Sequence, residues 1–243
     1  MTGTTRILAL GFGFWAVLAH GQQAGNWRGD IEAGLVETSG NTEETSISGE
    51  ADVTRNLDNW RQNVLLQSRY TEQDGDRTAE RYTASAQLDY KFNPNDFLFL
   101  RGRYDDDDFS GYAFQASTAA GYGRRLWEAG DSYLDTSIGA GYRYSRFEER
   151  DPEEGSAREE PIGRLAGDLR YPLSETARFR QEMESEIGLA DGESVSRSVT
   201  SLKANLNSSM ALNLSYTVEH DSNPPENAEN TDTITSVTLL YNF

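Results

Sequence analysis

The chain has 243 residues, a formal net charge of −18, no cysteine and two histidines. The missing thiols exclude disulfides, thiolate metal sites and cysteine nucleophiles together, and the acidity argues against nucleic acid, whose phosphates would be repelled. With 12 Tyr, 10 Phe and 4 Trp against 6 Pro, the chain is too aromatic for a disordered acidic protein.

The first element is a secretory leader. Arg6 supplies the positive n-region, residues 7–18 the apolar core, and Ala19, His20 and Gly21 a small-x-small cleavage site. Residues 1–21 are therefore expected to be a removed signal peptide, leaving 22–243 as the mature domain. A core of about twelve apolar residues is too short to span a bilayer as a helix, which needs about twenty. Removal of His20 leaves His220 as the lone histidine, so no histidine-cluster metal site and no cofactor are expected.

After the leader the chain divides into about twelve alternating segments bounded by Gly, Asn, Asp, Pro or Ser clusters. They lie near 27–37, 45–56, 60–72, 79–92, 97–106, 111–124, 132–145, 162–171, 177–188, 194–206, 210–221 and 232–243. In the fourth, Tyr82, Ala84, Ala86, Leu88, Tyr90 and Phe92 share one face, and Arg81, Thr83, Ser85, Gln87, Asp89 and Lys91 the other. In the eleventh, Leu212, Leu214, Tyr216 and Val218 oppose Asn213, Ser215, Thr217 and Glu219. The last carries Thr235, Val237, Leu239, Tyr241 and Phe243 on one face and stops on an aromatic, the usual ending of an outer-membrane barrel. The pattern predicts an all-β fold: a transmembrane antiparallel β-barrel of about twelve strands, of the bacterial outer-membrane type.

Short turns at 56–59, 93–96 and 172–176 alternate with longer or more acidic connections at 73–76, 105–108, 147–161 and 222–231. This predicts short periplasmic turns and longer external loops. Trp27, Trp60, Tyr70, Tyr90, Phe92, Tyr104, Tyr112, Tyr122, Tyr142, Tyr144, Tyr171 and Tyr241 lie near segment ends, where two interfacial girdles would sit. The alternative, a soluble secreted all-β binding protein, would pack these aromatics in a sandwich core. Strands with a charged face leave little from which to build one.

The stretch from Trp27, Arg28 and Gly29 through Thr38, Ser39, Gly40, Asn41 and Thr42, the run Asp105, Asp106, Asp107, Asp108, Phe109, Ser110, Gly111 and Tyr112, and the C-terminal strand together resemble the YdiY-like family of salt-induced outer membrane proteins. The resemblance covers nearly the whole mature chain. It implies an outer-membrane location and carries over no catalytic residues.

Function is therefore argued from the inner face. Parity turns Arg61, Arg69, Arg81, Lys91, Arg101, Arg103, Arg143, Arg178 and Arg180 inward, with Glu50, Asp52, Asp89, Asp105, Glu182, Glu184 and Glu186. At mid-depth an Arg or Lys facing lipid would cost roughly 2 to 4 kcal/mol. Such a lumen is either filled by Arg–carboxylate ladders that hold the wall together, or is a narrow polar channel for ions and small solutes. The acidic runs at 105–108 and 148–154 offer hard oxygen ligands, but their spacing fits no EF-hand, and solvated charge is the expected role.

A third reading makes the protein an outer-membrane lipid ester hydrolase, with His220 as base and Ser222 as nucleophile on one lipid-facing strand edge. No orienting residue is identifiable and prolines follow at once, so a non-enzyme is expected. Tyr241 and Phe243 are expected to act as the assembly signal. The expected partners are outer-membrane lipid, lipopolysaccharide and the barrel-assembly machinery.

Overall fold

Period-two alternation needs a surface that is apolar on one side only, and a sheet closed on itself provides one without leaving an edge. The computed structural model describes residues 27–38, 44–108, 110–151, 155–190, 192–224 and 229–242. The expected leader, residues 1–21, and Phe243 lie outside the described residues. Twelve strands form: β1 (Trp27–Thr38), β2 (Glu44–Asn56), β3 (Trp60–Gln73), β4 (Asp76–Lys91), β5 (Asp96–Asp107), β6 (Tyr112–Ala129), β7 (Ser132–Asp151), β8 (Gly155–Pro172), β9 (Ala177–Gly188), β10 (Ser194–Asn205), β11 (Met210–Asp221) and β12 (Thr231–Asn242). Each pairs antiparallel with its neighbours in sequence, and β1 meets β12 to close the barrel. The fold is the all-β barrel that the alternation predicts.

Charge and apolarity are inverted relative to a water-soluble protein. Leu35, Leu100 and Ile138 are 68%, 55% and 59% exposed on the outer wall, while Asp89 is 1% and Arg164 4% exposed within. An apolar outer band of this extent belongs in lipid. On β9 and β10 the band is interrupted, and the polar side chains there satisfy one another. Ser185 Oγ lies 2.8 Å from Ser196 Oγ, Gln181 Nε2 donates to Ser198 Oγ at 3.0 Å, and Thr200 Oγ1 donates to Gln181 Oε1 at 2.7 Å.

At the end carrying the termini, side chains close the turns. Asn93 Oδ1 accepts from the Asn95 and Asp96 amides at 2.9 and 2.8 Å, Asn207 Oδ1 from Ser209 and Met210 at 2.9 Å, and Ser174 Oγ from Ala177 at 3.0 Å. These are Asx and Ser turns, which Asn and Ser favour because the side chain replaces a backbone partner. At the far end Asp74 and Gly75 adopt φ of 51° and 86° in a two-residue hairpin.

Three expectations need correction. The connection expected over 147–161 is mostly strand, because β7 runs to Asp151 and β8 begins at Gly155. Pro161 does not break β8: its carbonyl accepts from the Leu189 amide just beyond the end of β9 at Gly188, so its nitrogen edge faces the place where that ladder stops. Strand extension thus replaces the long far-end loop expected there, whereas the connection expected over 222–231 does separate β11, which ends at Asp221, from β12, which begins at Thr231. The acidic run at 105–108 is likewise not a solvated loop, since Asp105, Asp106 and Asp107 belong to β5.

The aromatic girdle also needs one change. A bulge between Tyr112 and Phe114 reverses parity, so Tyr112 is buried inside while Phe114 stands outside, stacked between Tyr104 and Tyr144 at 5.5 and 5.6 Å. The terminal-end girdle includes the pairs Trp60–Tyr90 and Trp127–Tyr171, at 5.0 and 6.4 Å.

Candidate functional site

Two adjoining cavities that share lining residues lie on the inner face. The larger, about 790 Å³, occupies the terminal-end half and reaches the rim at Gly130 and Asp131. The smaller, about 190 Å³, lies farther in along β1–β4 and β9–β12, and Arg170, Arg178, Arg180, Glu182, Arg197 and Lys203 border both. Room for the inward rings of Phe97 and Phe99 comes from Gly123 and Gly139, where any Cβ would collide with them. Arg61 and Arg164 lie over those two rings at 5.1 Å, so the apolar patch is covered by cations.

Ion pairs cross the lumen at successive heights. Nearest the termini, Arg61 on β3 binds Asp89 at 2.6 Å and reaches Asp135 on β7 at 3.1 Å, which also accepts from Arg125 at 2.7 Å. At mid-depth Arg101 on β5 makes a two-bond contact to Glu184 on β9 at 3.0 and 3.2 Å, and Arg164 reaches the same carboxylate at 2.9 Å. Arg180 holds Asp168 at 3.1 Å and lies 3.9 Å from Asp52 on β2. Farther on, Arg81 on β4 pairs with Glu219 on β11, which Arg197 also holds at 2.9 Å. Arg103 binds Asp105 at 2.7 Å.

The far end above β6–β9 is filled. Arg143 and Glu160 form a pair at 2.6 Å with both side chains almost fully buried, and Glu186 lies 3.8 Å from Arg143 and accepts from Ser117 at 2.7 Å. Tyr112 stacks on Phe147 at 5.3 Å and reaches Asp221 at 3.3 Å. Arg158, over Phe147 at 5.8 Å, pairs with Glu193 in the β9–β10 connection.

Of the inward residues expected from parity, Arg61, Arg101, Arg103, Arg178, Arg180, Asp52, Asp89, Glu182 and Glu184 line the larger cavity, and Arg69, Arg81 and Glu50 the smaller. Glu50 accepts from Gln67 at 2.6 Å. Arg143 and Glu186 border neither cavity, being part of the filled far end. Lys91 borders neither, because its ammonium donates to the Leu57 carbonyl at 2.8 Å and closes a turn.

Parity reasoning overlooked Arg125, Arg164, Asp168, Arg170, Arg197 and Lys203, all of which line the larger cavity. Beside Arg197 on β10 the outward neighbours are Ser196 and Ser198, so the apolar contrast that flags an inward charge is absent there. Arg125 stands beside a bulge that displaces the period.

His220 and Ser222 are held by different partners. The imidazole Nδ1 lies 2.9 Å from Thr231 Oγ1, while Ser222 Oγ accepts from the Ser194 amide at 2.7 Å. No hydrogen bond joins the two among the described residues, so the relay that a serine nucleophile needs is not assembled.

Net charge on the wall of the larger cavity opposes that of the chain. Among the described residues, eleven Arg and Lys side chains line the larger cavity against nine Asp and Glu. That is half of the 22 cations in the sequence and fewer than a quarter of its 40 carboxylates.

The chain is similar to several known proteins. NanC porin matches with a TM-score of 0.49 at 11% identity, over 88% of this chain and 97% of that one. An outer membrane channel from Pseudomonas putida F1 matches at 0.47 and 11% identity, over 91% and 96%. In sequence, the uncharacterized protein YdiY of Escherichia coli (strain K12) is 26% identical over 218 residues, covering 89% of this chain and 83% of YdiY. Residues 31–243 match the family described as protein of unknown function, DUF481. The chain is therefore a YdiY-like member of the DUF481 family.

Proposed function

We propose that the protein is a non-enzymatic barrel of the bacterial outer membrane whose lumen is a narrow passage preferring small anions. In this reading residues 1–21 are cleaved on export, the termini face the periplasm, and the outer wall contacts lipid and lipopolysaccharide. The observation that carries the reading is the cationic excess on the wall of the larger cavity in a chain of net charge −18. A ring of fixed charge in a low-dielectric wall sets which ion enters easily.

The test is reversal potential in a planar bilayer under a KCl gradient. We expect the parent to favour chloride, and the double variant Arg101→Glu/Arg103→Glu to move the potential toward potassium. A parent potential on the potassium side would overturn the anion preference. A second reading, a closed structural barrel, rests on the spans from Arg101 to Glu184 and from Arg81 to Glu219. Absence of conductance from folded parent protein would replace the passage with it.

A further inference from the structure

Among the described residues most cations of the lumen have a carboxylate within ion-pair distance; of those that do not, Arg170 and Arg178 stand close together. Arg170 on β8 and Arg178 on β9 both face inward; the register sets Arg170 opposite Arg180 and Arg178 opposite Pro172, two positions away. Across the other ladder Arg178 stands opposite Lys203. Like charges so placed repel across a sheet.

The nearby carboxylates are committed elsewhere. Asp168, beside Arg170, binds Arg180 at 3.1 Å and accepts from the Tyr133 hydroxyl at 2.9 Å. Asp30, beside Arg178, binds Lys203 at 3.1 Å. Asp131 and Asp30 act on Arg178, and Asp168 on Arg170, only electrostatically, from beyond ion-pair distance. Nε of both Arg170 and Arg178 is buried without a hydrogen-bond partner, and Arg170 is held over the Tyr133 ring at 5.2 Å. A buried guanidinium donor left unmatched costs free energy that an incoming acceptor recovers.

We propose that Arg170 and Arg178 form a binding site for a small oxyanion, a carboxylate or phosphate group, at the junction of the two cavities. Planar guanidinium forks match the paired oxygens of such groups, whereas chloride offers a single point of contact. The site deepens the passage reading by naming the class of anion that pauses in it, and it can be tested apart from conduction.

The experiment measures inorganic phosphate binding to the full-length folded barrel in detergent by calorimetry at fixed chloride, and phosphate block of current in the bilayer. We expect parent binding to weaken at least about tenfold in Arg170→Gln/Arg178→Gln, the loss of one good charged contact or more. Folding is checked by heat-modifiable migration, and should the double variant not fold, each single Gln variant is expected to weaken phosphate several-fold. Arg55→Gln, on the outer wall over Trp27, should leave binding unchanged. Equal affinity in the parent and the folded Gln variants, or no parent binding, would overturn the site even where conduction is seen. Arg170- and Arg178-dependent binding in a barrel that does not conduct would support the site and refute the passage.

Discussion

The most enclosed charge pair, Arg143–Glu160, shows what a buried ion in this wall costs. Its two side chains are only 5% and 4% exposed, yet Arg143 Nη1 and Glu160 Oε2 still lack hydrogen-bond partners. Desolvation is therefore only partly offset, and the pair is worth little against apolar packing of the same volume. Glu160→Leu should nevertheless cost about 3 to 5 kcal/mol, because it strands a buried guanidinium. The double variant Arg143→Met/Glu160→Leu should recover most of that loss, read as the temperature at which the folded band disappears on a gel. A double variant no more stable than the single one would show that the pair itself holds the far end together. The inward orientation of Arg143 is legible from parity, whereas Glu160 falls in the connection expected over 147–161; which partner an inward charge takes is not legible, since Arg81 and Glu219 are 138 positions apart in sequence.

At the scale of elements, strand centres are legible and strand ends are not. Apolar alternation marks β4 and β11 without ambiguity because lipid imposes it on each outward position. Beyond the lipid the constraint vanishes, and β7 and β8 continue as a hairpin whose residues carry no alternation. Bulges act similarly: one extra residue reverses every face after it, which is how Tyr112 moved inside. The seam between β1 and β12 is the shortest ladder, from Asp30↔Asn242 to Ala33↔Leu239, whereas β1 pairs with β2 along its whole length. With no other cysteine in the chain, Ala33→Cys/Leu239→Cys should oxidise to a disulfide and raise the unfolding temperature. Leu35→Cys/Leu239→Cys, two positions out of register, should not close, because a disulfide tolerates Cα atoms only within about 7 Å. Efficient closure of the second pair and not the first would place the seam in another register.

For the whole molecule, closure is the property from which the rest follows. We propose that Phe243, outside the described residues, and Tyr241, exposed on the outer face of β12, form the signal that the insertion machinery reads. Deletion of Phe243 should lower the amount of heat-modifiable folded protein in the outer membrane several-fold, and undiminished assembly would refute this role. By itself the sequence determined the fold class, the number of strands and, in strand centres away from bulges, the face that alternating side chains take. A solvent that is apolar outside and aqueous inside writes those choices directly into a local period of two. Only the tertiary structure decided that the lumen is spanned by ion pairs, that its far end is filled over β6–β9, and that Arg170 and Arg178 are left without a carboxylate. Those outcomes depend on which side chains meet across a closed ring, and distance along a chain carries no information about that.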